Sequence, residues 1–103
     1  MNKKAIEKLH KFADYNDNWN GYGAPPWKEE DNYIEEVEAL LNSLSREVEI
    51  YPLPNHIVQI EYTIDNVYHE FELNKNHIAS AYFDDEKSYV EFDCYWWEII
   101  KYI

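Results

Sequence analysis

The sequence has few lysines and arginines, and this shortage excludes some classes of partner. Nine lysines and arginines stand against 21 aspartates and glutamates, which gives a formal net charge of -12. A field of that sign repels phosphate backbones and anionic lipid, so we expect no direct binding to nucleic acid and none to a membrane. A basic protein is the favoured partner, although acidity can also serve solubility alone.

Cysteine and long apolar runs are also scarce. Cys94 is the only cysteine, which excludes an intramolecular disulfide and a cysteine-based metal cluster, and it suits a small buried apolar position. No apolar run is long enough to cross a bilayer, and the first residues lack the apolar core of a signal peptide. We therefore expect a cytoplasmic protein, and we predict no cofactor and no metal site.

Apolar side chains are plentiful in spite of the charge. Hydrophobic residues make up 46% of the 103 residues and aromatic residues make up 17%. That content is enough to bury a core, and the length suits one core. The sequence predicts a single globular domain over residues 1–103.

The first half of the chain has the period of helices. Residues 3–15 carry Ile6, Leu9, Phe12 and Ala13 at helical spacing, which predicts a short amphipathic helix. A second helix is predicted over residues 27–44, with an apolar stripe at Ile34, Val37, Leu41 and Leu44. Two features favour its start near residue 27: two prolines at the entry and an acidic first turn, namely Pro25, Pro26, Glu29, Glu30 and Asp31.

The second half has the period of strands. Apolar and polar residues alternate in four segments joined by short turns, which predicts an antiparallel meander over residues 57–64, 67–73, 77–83 and 89–94. Residues 47–54 should be extended, with Pro52 and Pro54 keeping them at a sheet edge or outside the sheet. Residues 95–103 favour a helix over a fifth strand, because Trp96, Ile99, Ile100 and Ile103 recur at helical spacing. The fold class is therefore α+β, with two N-terminal helices packed on a four- to five-stranded antiparallel meander sheet and a C-terminal helix.

The stretch "WNGYGAPP" contains both glycines of the chain and half of its prolines. Gly21 and Gly23 can take positive φ without steric cost, so tight turns are predicted on either side of Tyr22. We interpret the segment as a structural loop whose rings seal the helices against the sheet; its residues are Trp19, Gly21, Tyr22, Gly23, Pro25, Pro26 and Trp27. The alternative is that its rings line a groove for a ligand or a partner side chain.

The same stretch carries a family resemblance. "NWNGYGAPP", with a following helix, the linker "YPLPN" and the strand "IVQIEY", resembles a group of small bacterial and phage-borne proteins. That group has a Trp-Asp-Gly-Tyr-Gly-Ala-x-Pro loop and a later Leu-Glu-Trp strand, whereas this chain has Asn20 in place of the aspartate and Tyr62 in place of the tryptophan. The resemblance spans residues 9–83 and supports the predicted fold; it implies no activity.

Carboxylates and tyrosines are predicted to share the outer face of the sheet. If Val58, Ile60 and Phe71 face the core, the residues between them face outward. Like charges on neighbouring strands are unfavourable, and a cationic partner would relieve them. We predict a partner-binding site at Glu61, Tyr68, Glu70, Glu72, Tyr89 and Glu91, with Asp93 on the same face and Asp84, Asp85 and Glu86 at the neighbouring turn. The alternative is an ordinary solvated sheet face.

Enzyme chemistry has little support. His10, His56, His69 and His77 are scattered without metal-ligand spacing, and no nucleophile or phosphate-loop motif occurs. His69 alternates with the core-facing residues and suits a structural role, and Asp31, Glu35 and Glu38 suit a solvated helix face better than a metal site.

The leading functional hypothesis is a non-enzymatic inhibitor of the immunity or antitoxin type that neutralises a basic, nucleic-acid-handling protein. A phage-encoded counter-defence protein that mimics DNA is the close alternative, because it needs the same negative surface. A small-ligand-binding or structural subunit that uses the aromatic loop is the third.

Overall fold

The computed structural model describes residues 2–16, 18–24, 26–27 and 32–103. Two helices precede five strands, and a short 3-10 helix ends the chain. The elements are α1 (Lys3–Lys11), a 3-10 turn (Phe12–Asp14), α2 (Tyr33–Ser43), β1 (Glu49–Pro52), β2 (Val58–Ile64), β3 (Val67–Leu73), β4 (Ile78–Asp84), β5 (Tyr89–Tyr95) and the C-terminal 3-10 helix (Trp96–Lys101). The predicted α+β class is confirmed.

The five strands form one antiparallel sheet in the order of the sequence, from β1 at one edge to β5 at the other. The turn between β2 and β3 consists of Asp65 and Asn66, which both have positive φ, at 52° and 66°. Positive φ at both central positions gives a turn whose twist matches that of the flanking strands. The predicted meander is confirmed, and the fifth strand is the proline-bearing edge segment rather than the C-terminal tail.

The core lies between the helices and one face of the sheet. Leu9 and Phe12 from the first helical segment and Val37 and Leu41 from α2 are fully buried. They meet alternate residues of the strands, all buried, namely Ile50, Val58, Ile60, Phe71, Leu73, Ala79 and Ala81. This packing leaves the opposite face of the sheet uncovered by the helices. The lysines of α1, including exposed Lys3, Lys4 and Lys11, lie around the helix face that points away from the core.

Two buried polar side chains tie the layers together. The Tyr33 hydroxyl donates to the Leu73 carbonyl at 2.6 Å and accepts from the Val58 amide at 2.7 Å, so the start of α2 is joined to β2 and β3. The Asn2 amide donates to the carbonyls of Leu41 and Arg46, and its oxygen accepts from the amide of Val48. Both groups satisfy backbone polar atoms that would otherwise be buried without partners.

The predicted start of the second helix near Trp27 was wrong, because α2 begins at Tyr33. Asn32 precedes it with φ of 60°, a left-handed conformation that a right-handed helix does not accommodate. Trp27 is instead an irregular, buried residue whose ring lies 5.2 Å from that of Phe12. Pro26 is therefore not in the first turn of α2, and Pro25, Glu29, Glu30 and Asp31 lie outside the described residues.

The C-terminal segment is helical but of the 3-10 type. Glu98 accepts a hydrogen bond from the Tyr95 amide at 3.1 Å, which fixes the start of this helix at Trp96. With three residues per turn, Trp96 and Ile99 lie on one side and are buried. Ile100, which an α-helix would turn toward the core, is instead 46% exposed.

Candidate functional site

The strand register gathers acidic side chains on the outer face of the sheet. Glu49 of β1 lies opposite Glu61 of β2, and Glu61 lies opposite Glu70 of β3. The same row continues through Tyr82 of β4 to Glu91 of β5. We call this surface the acidic face; its residues are Glu49, Tyr51, Gln59, Glu61, Tyr68, Glu70, Glu72, Tyr82, Asp84, Tyr89, Glu91 and Asp93.

No strand contributes a lysine or an arginine side chain to the acidic face. None of the five strands, all of which are described, contains a lysine or an arginine. Direct opposition of like charges on neighbouring strands destabilises a sheet by a few tenths of a kcal/mol or more per pair. The row from Glu49 to Glu70 contains two such oppositions in succession.

The Tyr68 hydroxyl forms hydrogen bonds with two of the opposed carboxylates. Its hydroxyl lies 2.9 Å from an Oε atom of Glu61 and 2.9 Å from an Oε atom of Glu70, on the two adjacent strands. Gln59 donates a further hydrogen bond to Glu61 at 3.0 Å. Burial and the two carboxylates raise the pKa of Tyr68 well above its ordinary value, so the hydroxyl keeps its proton. The hydroxyl thereby fixes the positions of the two carboxylates.

Two more tyrosines donate to carboxylates of their own strands. The Tyr51 hydroxyl donates to Glu49 at 2.5 Å, and the Tyr82 hydroxyl donates to Asp84 at 2.7 Å. These hydrogen bonds are the main cause that raises the pKa of Tyr51, and likewise that of Tyr82, to about 12. Tyrosine hydroxyls therefore donate hydrogen bonds to carboxylates along the acidic face without adding positive charge.

The rings of three tyrosines run across the acidic face from β3 to β5. The centroid of Tyr68 lies 6.3 Å from that of Tyr82 in an edge-to-face arrangement, and Tyr82 stacks on Tyr89 at 5.8 Å. Tyr89 is 64% exposed. Aromatic rings supply apolar contact area and the charged groups around them select the partner, a combination that is typical of protein-recognition surfaces.

The predicted acidic turn next to this face has a partly structural role. Asp84 is the last residue of β4, and its carboxylate accepts from the amide of Glu86 at 2.7 Å. Asp85 accepts from the amides of Lys87 and Ser88, and these bonds lower its pKa. Asp84 thus belongs to the sheet face, whereas Asp85 and Glu86 shape the turn between β4 and β5.

Sequence reasoning missed three of the charged and aromatic members of the acidic face. Glu49 and Tyr51 were missed because the segment around Pro52 was not assigned to a paired strand. Tyr82 was missed although it alternates with Ala81, which is buried, so the same two-residue period could have found it.

The glycine loop is built by asparagine side chains. Gly21 and Gly23 have φ of 78° and 82°, as predicted from their freedom at positive φ. The Asn20 side chain accepts from the amides of Tyr22 and Ala24, and the Asn18 side chain accepts from the amide of Gly23. The loop therefore keeps its shape through hydrogen bonds to its own backbone.

The three rings of this loop have different environments. Trp27 is buried in the core, and Trp19 is half-buried with its ring 5.1 Å from that of Tyr15. Tyr22 is 92% exposed. The prediction that all the rings seal the core is wrong for Tyr22.

The remaining titratable groups lie in separate pairs or at separate buried positions in the described part of the chain. His10 pairs with Glu38 and His77 pairs with Glu36, so both histidines link other elements to α2. His69 lies on the inner face, stacked on Tyr62 at 4.6 Å, and Cys94 is buried, where desolvation raises its pKa. Among the described residues, no group of three or more histidine, cysteine, aspartate or glutamate side chains could hold a metal ion.

One groove of about 730 Å³ lies beside β1, between α1 and the edge of the sheet. Its lining combines the cations Lys4, Lys8 and Arg46 with acidic residues and includes three members of the acidic face, Glu49, Glu61 and Tyr68. Within residues 2–16, 18–24, 26–27 and 32–103, no helix has the length and apolarity needed to cross a bilayer.

No family model, curated protein or solved structure matches the chain. The resemblance to the small bacterial and phage-borne group therefore stays a prediction that rests on the glycine loop.

Proposed function

We propose that the protein is a non-enzymatic inhibitor of the immunity or antitoxin type, which binds a basic, nucleic-acid-handling protein through the acidic face. One observation carries this proposal. Carboxylates of β1, β2 and β3 lie directly opposite one another, the same row continues to Glu91 on β5, and no strand supplies a cation.

The free protein bears a cost that a cationic partner would remove. Opposed carboxylates repel each other in the unbound state, and a lysine or arginine placed between them converts that repulsion into attraction. The hydroxyl of Tyr68 already fixes the positions of Glu61 and Glu70, so little ordering is needed on binding. The net charge of -12 further accelerates encounter with a basic surface in a salt-dependent manner.

Affinity capture with matched charge variants tests the proposal. The immobilised wild-type chain should retain a basic protein from cell extract at low salt and release it at about 0.5 M salt, where exposed charges are heavily screened. The face variant replaces Glu61, Glu70, Glu72 and Glu91 with lysine and should lose this protein. The control variant reverses four exposed carboxylates outside the acidic face, Glu7, Asp14, Glu35 and Glu47, and should keep it.

Both variants change the net charge equally, so only the position of the charges differs. Equal retention by the two variants would reject the acidic face as the site, and absence of any basic protein at low salt would reject the proposed function. The identity of the retained protein separates the two biological settings: a toxin indicates immunity, and a host nuclease complex indicates counter-defence by DNA mimicry.

A further inference from the structure

The edge of the sheet at β1 is closed to further strands. The Leu53 amide donates to the Ile57 carbonyl at 2.9 Å, and the alternation of antiparallel bonds then directs the backbone of Ile50 and Pro52 away from β2. The outward carbonyl of Ile50 accepts from Lys8 Nζ at 2.5 Å, and Pro52 has no amide hydrogen to offer. Lysine and proline are devices by which proteins prevent edge pairing.

The edge at β5 has neither device. The Trp96 amide donates to the His77 carbonyl at 3.0 Å, and the Asp85 amide donates to the Ser88 carbonyl at 3.2 Å, at opposite ends of the β4–β5 ladder. Both bonds fix the same alternation, which directs the backbone of Tyr89, Glu91 and Asp93 away from β4. Within the described residues, these three outward amides and carbonyls have no hydrogen-bond partner, whereas the next outward amide, that of Tyr95, is bound by Glu98.

The side chains along this open edge alternate in chemistry. Glu91 and Asp93 project on the acidic face and are exposed. Val90 projects on the inner face but is 54% exposed, and half-buried Phe92 lies beside it on that face, 5.6 Å from the ring of Tyr102. A strand added here would meet carboxylates on one side and apolar side chains on the other.

A second copy of this chain fits the open edge badly. An antiparallel pair of β5 strands that uses the outward backbone groups has three registers that pair two or more of Tyr89, Glu91 and Asp93. The register that pairs all three places Glu91 against Glu91 of the copy; of the other two, one places Glu91 against Asp93 of the copy and the other places Glu91 against Tyr89 of the copy. Carboxylates lie directly opposite one another in the first two registers, and in all three the two chains of charge -12 repel each other.

We infer that β5 is a strand-addition site for an extended segment in which lysine or arginine alternates with β-branched apolar residues. The segment pairs with the outward backbone of Tyr89, Glu91 and Asp93, places its cations beside Glu91 and Asp93, and places its apolar side chains beside Val90 and Phe92. Main-chain bonds supply affinity in such complexes, and alternate side chains supply specificity. The inference deepens the proposed function and rests on it for the identity of the partner as a basic protein.

Two fluorescent peptides of equal composition test the inference. One is an alternating lysine–valine octapeptide, and the other has its lysines and valines in two separate blocks. We expect the alternating peptide to bind the protein at least about tenfold more tightly by fluorescence anisotropy. It should also slow hydrogen exchange of the Glu91 and Asp93 amides, which donate no hydrogen bond within the described residues of the free protein. Equal affinities would show charge attraction alone and would overturn the inference.

A pair of variants at one position separates backbone pairing from charge. Asp93→Asn keeps the outward amide and removes the charge, so we expect a loss of only a few-fold in affinity for the alternating peptide. Asp93→Pro also removes the outward amide, which β4 does not use, and should weaken binding at least about tenfold more. Full affinity in a folded Asp93→Pro protein would contradict strand addition. If that variant does not fold, hydrogen exchange of the wild-type Glu91 and Asp93 amides decides the question, and unchanged rates would contradict strand addition.

These outcomes are distinguishable from those of the capture experiment. A basic protein retained through the acidic face, together with equal binding of the two peptides, would leave the proposed function standing and reject strand addition. Selective binding of the alternating peptide without any captured basic protein would reject the proposed function and leave the strand-addition site.

Discussion

The Tyr68 hydroxyl should be the most important single group for the stability of the acidic face. Changing Tyr68 to phenylalanine keeps the ring beside Tyr82 and removes only the donor to Glu61 and Glu70. The two carboxylates would then oppose each other on neighbouring strands without the proton that now lies between them.

The distances give the size of this effect. Each carboxylate oxygen lies 2.9 Å from the hydroxyl oxygen, so the two are at most about 5.8 Å apart. Two unit charges at that separation repel by about 0.7 kcal/mol in bulk water and by about 2.9 kcal/mol at an effective dielectric constant of about 20. A hydrogen bond to a charged acceptor contributes about 1.5–3 kcal/mol, and partial exposure of Tyr68 favours the lower end. We expect Tyr68→Phe to lower the free energy of unfolding by about 1.5 kcal/mol.

Urea unfolding followed by tryptophan fluorescence measures this loss, and a double-mutant cycle assigns it. In a background with Glu61→Gln and Glu70→Gln, the hydroxyl bonds only neutral acceptors, and the cost of Tyr68→Phe should fall to about 0.5 kcal/mol. Tyr82→Phe, whose hydroxyl serves one carboxylate of its own strand, should cost less than Tyr68→Phe. An equal cost of Tyr68→Phe in both backgrounds would refute the role of the hydroxyl as a clamp between charges.

Three further changes test other parts of the fold. Tyr33→Phe leaves a buried amide and a buried carbonyl without hydrogen-bond partners, so it should lower the free energy of unfolding in urea by about 2–4 kcal/mol. The exposed control Tyr22→Phe should cause no measurable change in this free energy. Burial lowers the pKa of His69 from its ordinary 6.5. The neutral imidazole therefore contributes its full stability above pH 6.5, and this stability is lost as the pH falls toward the lower pKa of the folded state. His69→Phe should reduce the drop in urea midpoint between about pH 7.5 and pH 5. An unchanged drop would show that other groups cause it. Gly23→Ala, at φ of 82° with open space around a new Cβ, should lower the melting temperature by an amount equivalent to about 1 kcal/mol, and no shift would mean that the loop tolerates a different conformation.

Local periodicity was sufficient to predict the sheet. Val58 and Ile60 alternate with Gln59 and Glu61 over a whole strand, and one buried face fixes such a pattern strongly. The start of α2 was not predictable in this way. It depends on Asn32 in a left-handed conformation and on burial of Trp27 against Phe12, a tertiary contact that outweighs the local signals of proline and acidic residues.

The candidate site was predictable only as a set of residues on one face. Alternation indicates that Glu61 and Glu70 face outward, but it does not indicate that they lie directly opposite each other or that Tyr68 bridges them. Those facts depend on register, which the turn at Asp65 and Asn66 fixes. The difference between the two sheet edges could be predicted only from the alternation of the hydrogen bonds between strands, because sequence alone does not show which amides point outward.

The placement of the α1 lysines has a consequence for how the molecule approaches another. The four lysines of α1, Lys3, Lys4, Lys8 and Lys11, offset the four glutamates of the two helices, whereas the strands carry carboxylates and no lysine or arginine. The chain is therefore an electric dipole as well as an anion. In the field of a basic protein it experiences a torque that turns the sheet toward that protein and α1 away, so that encounters are oriented before any atoms touch.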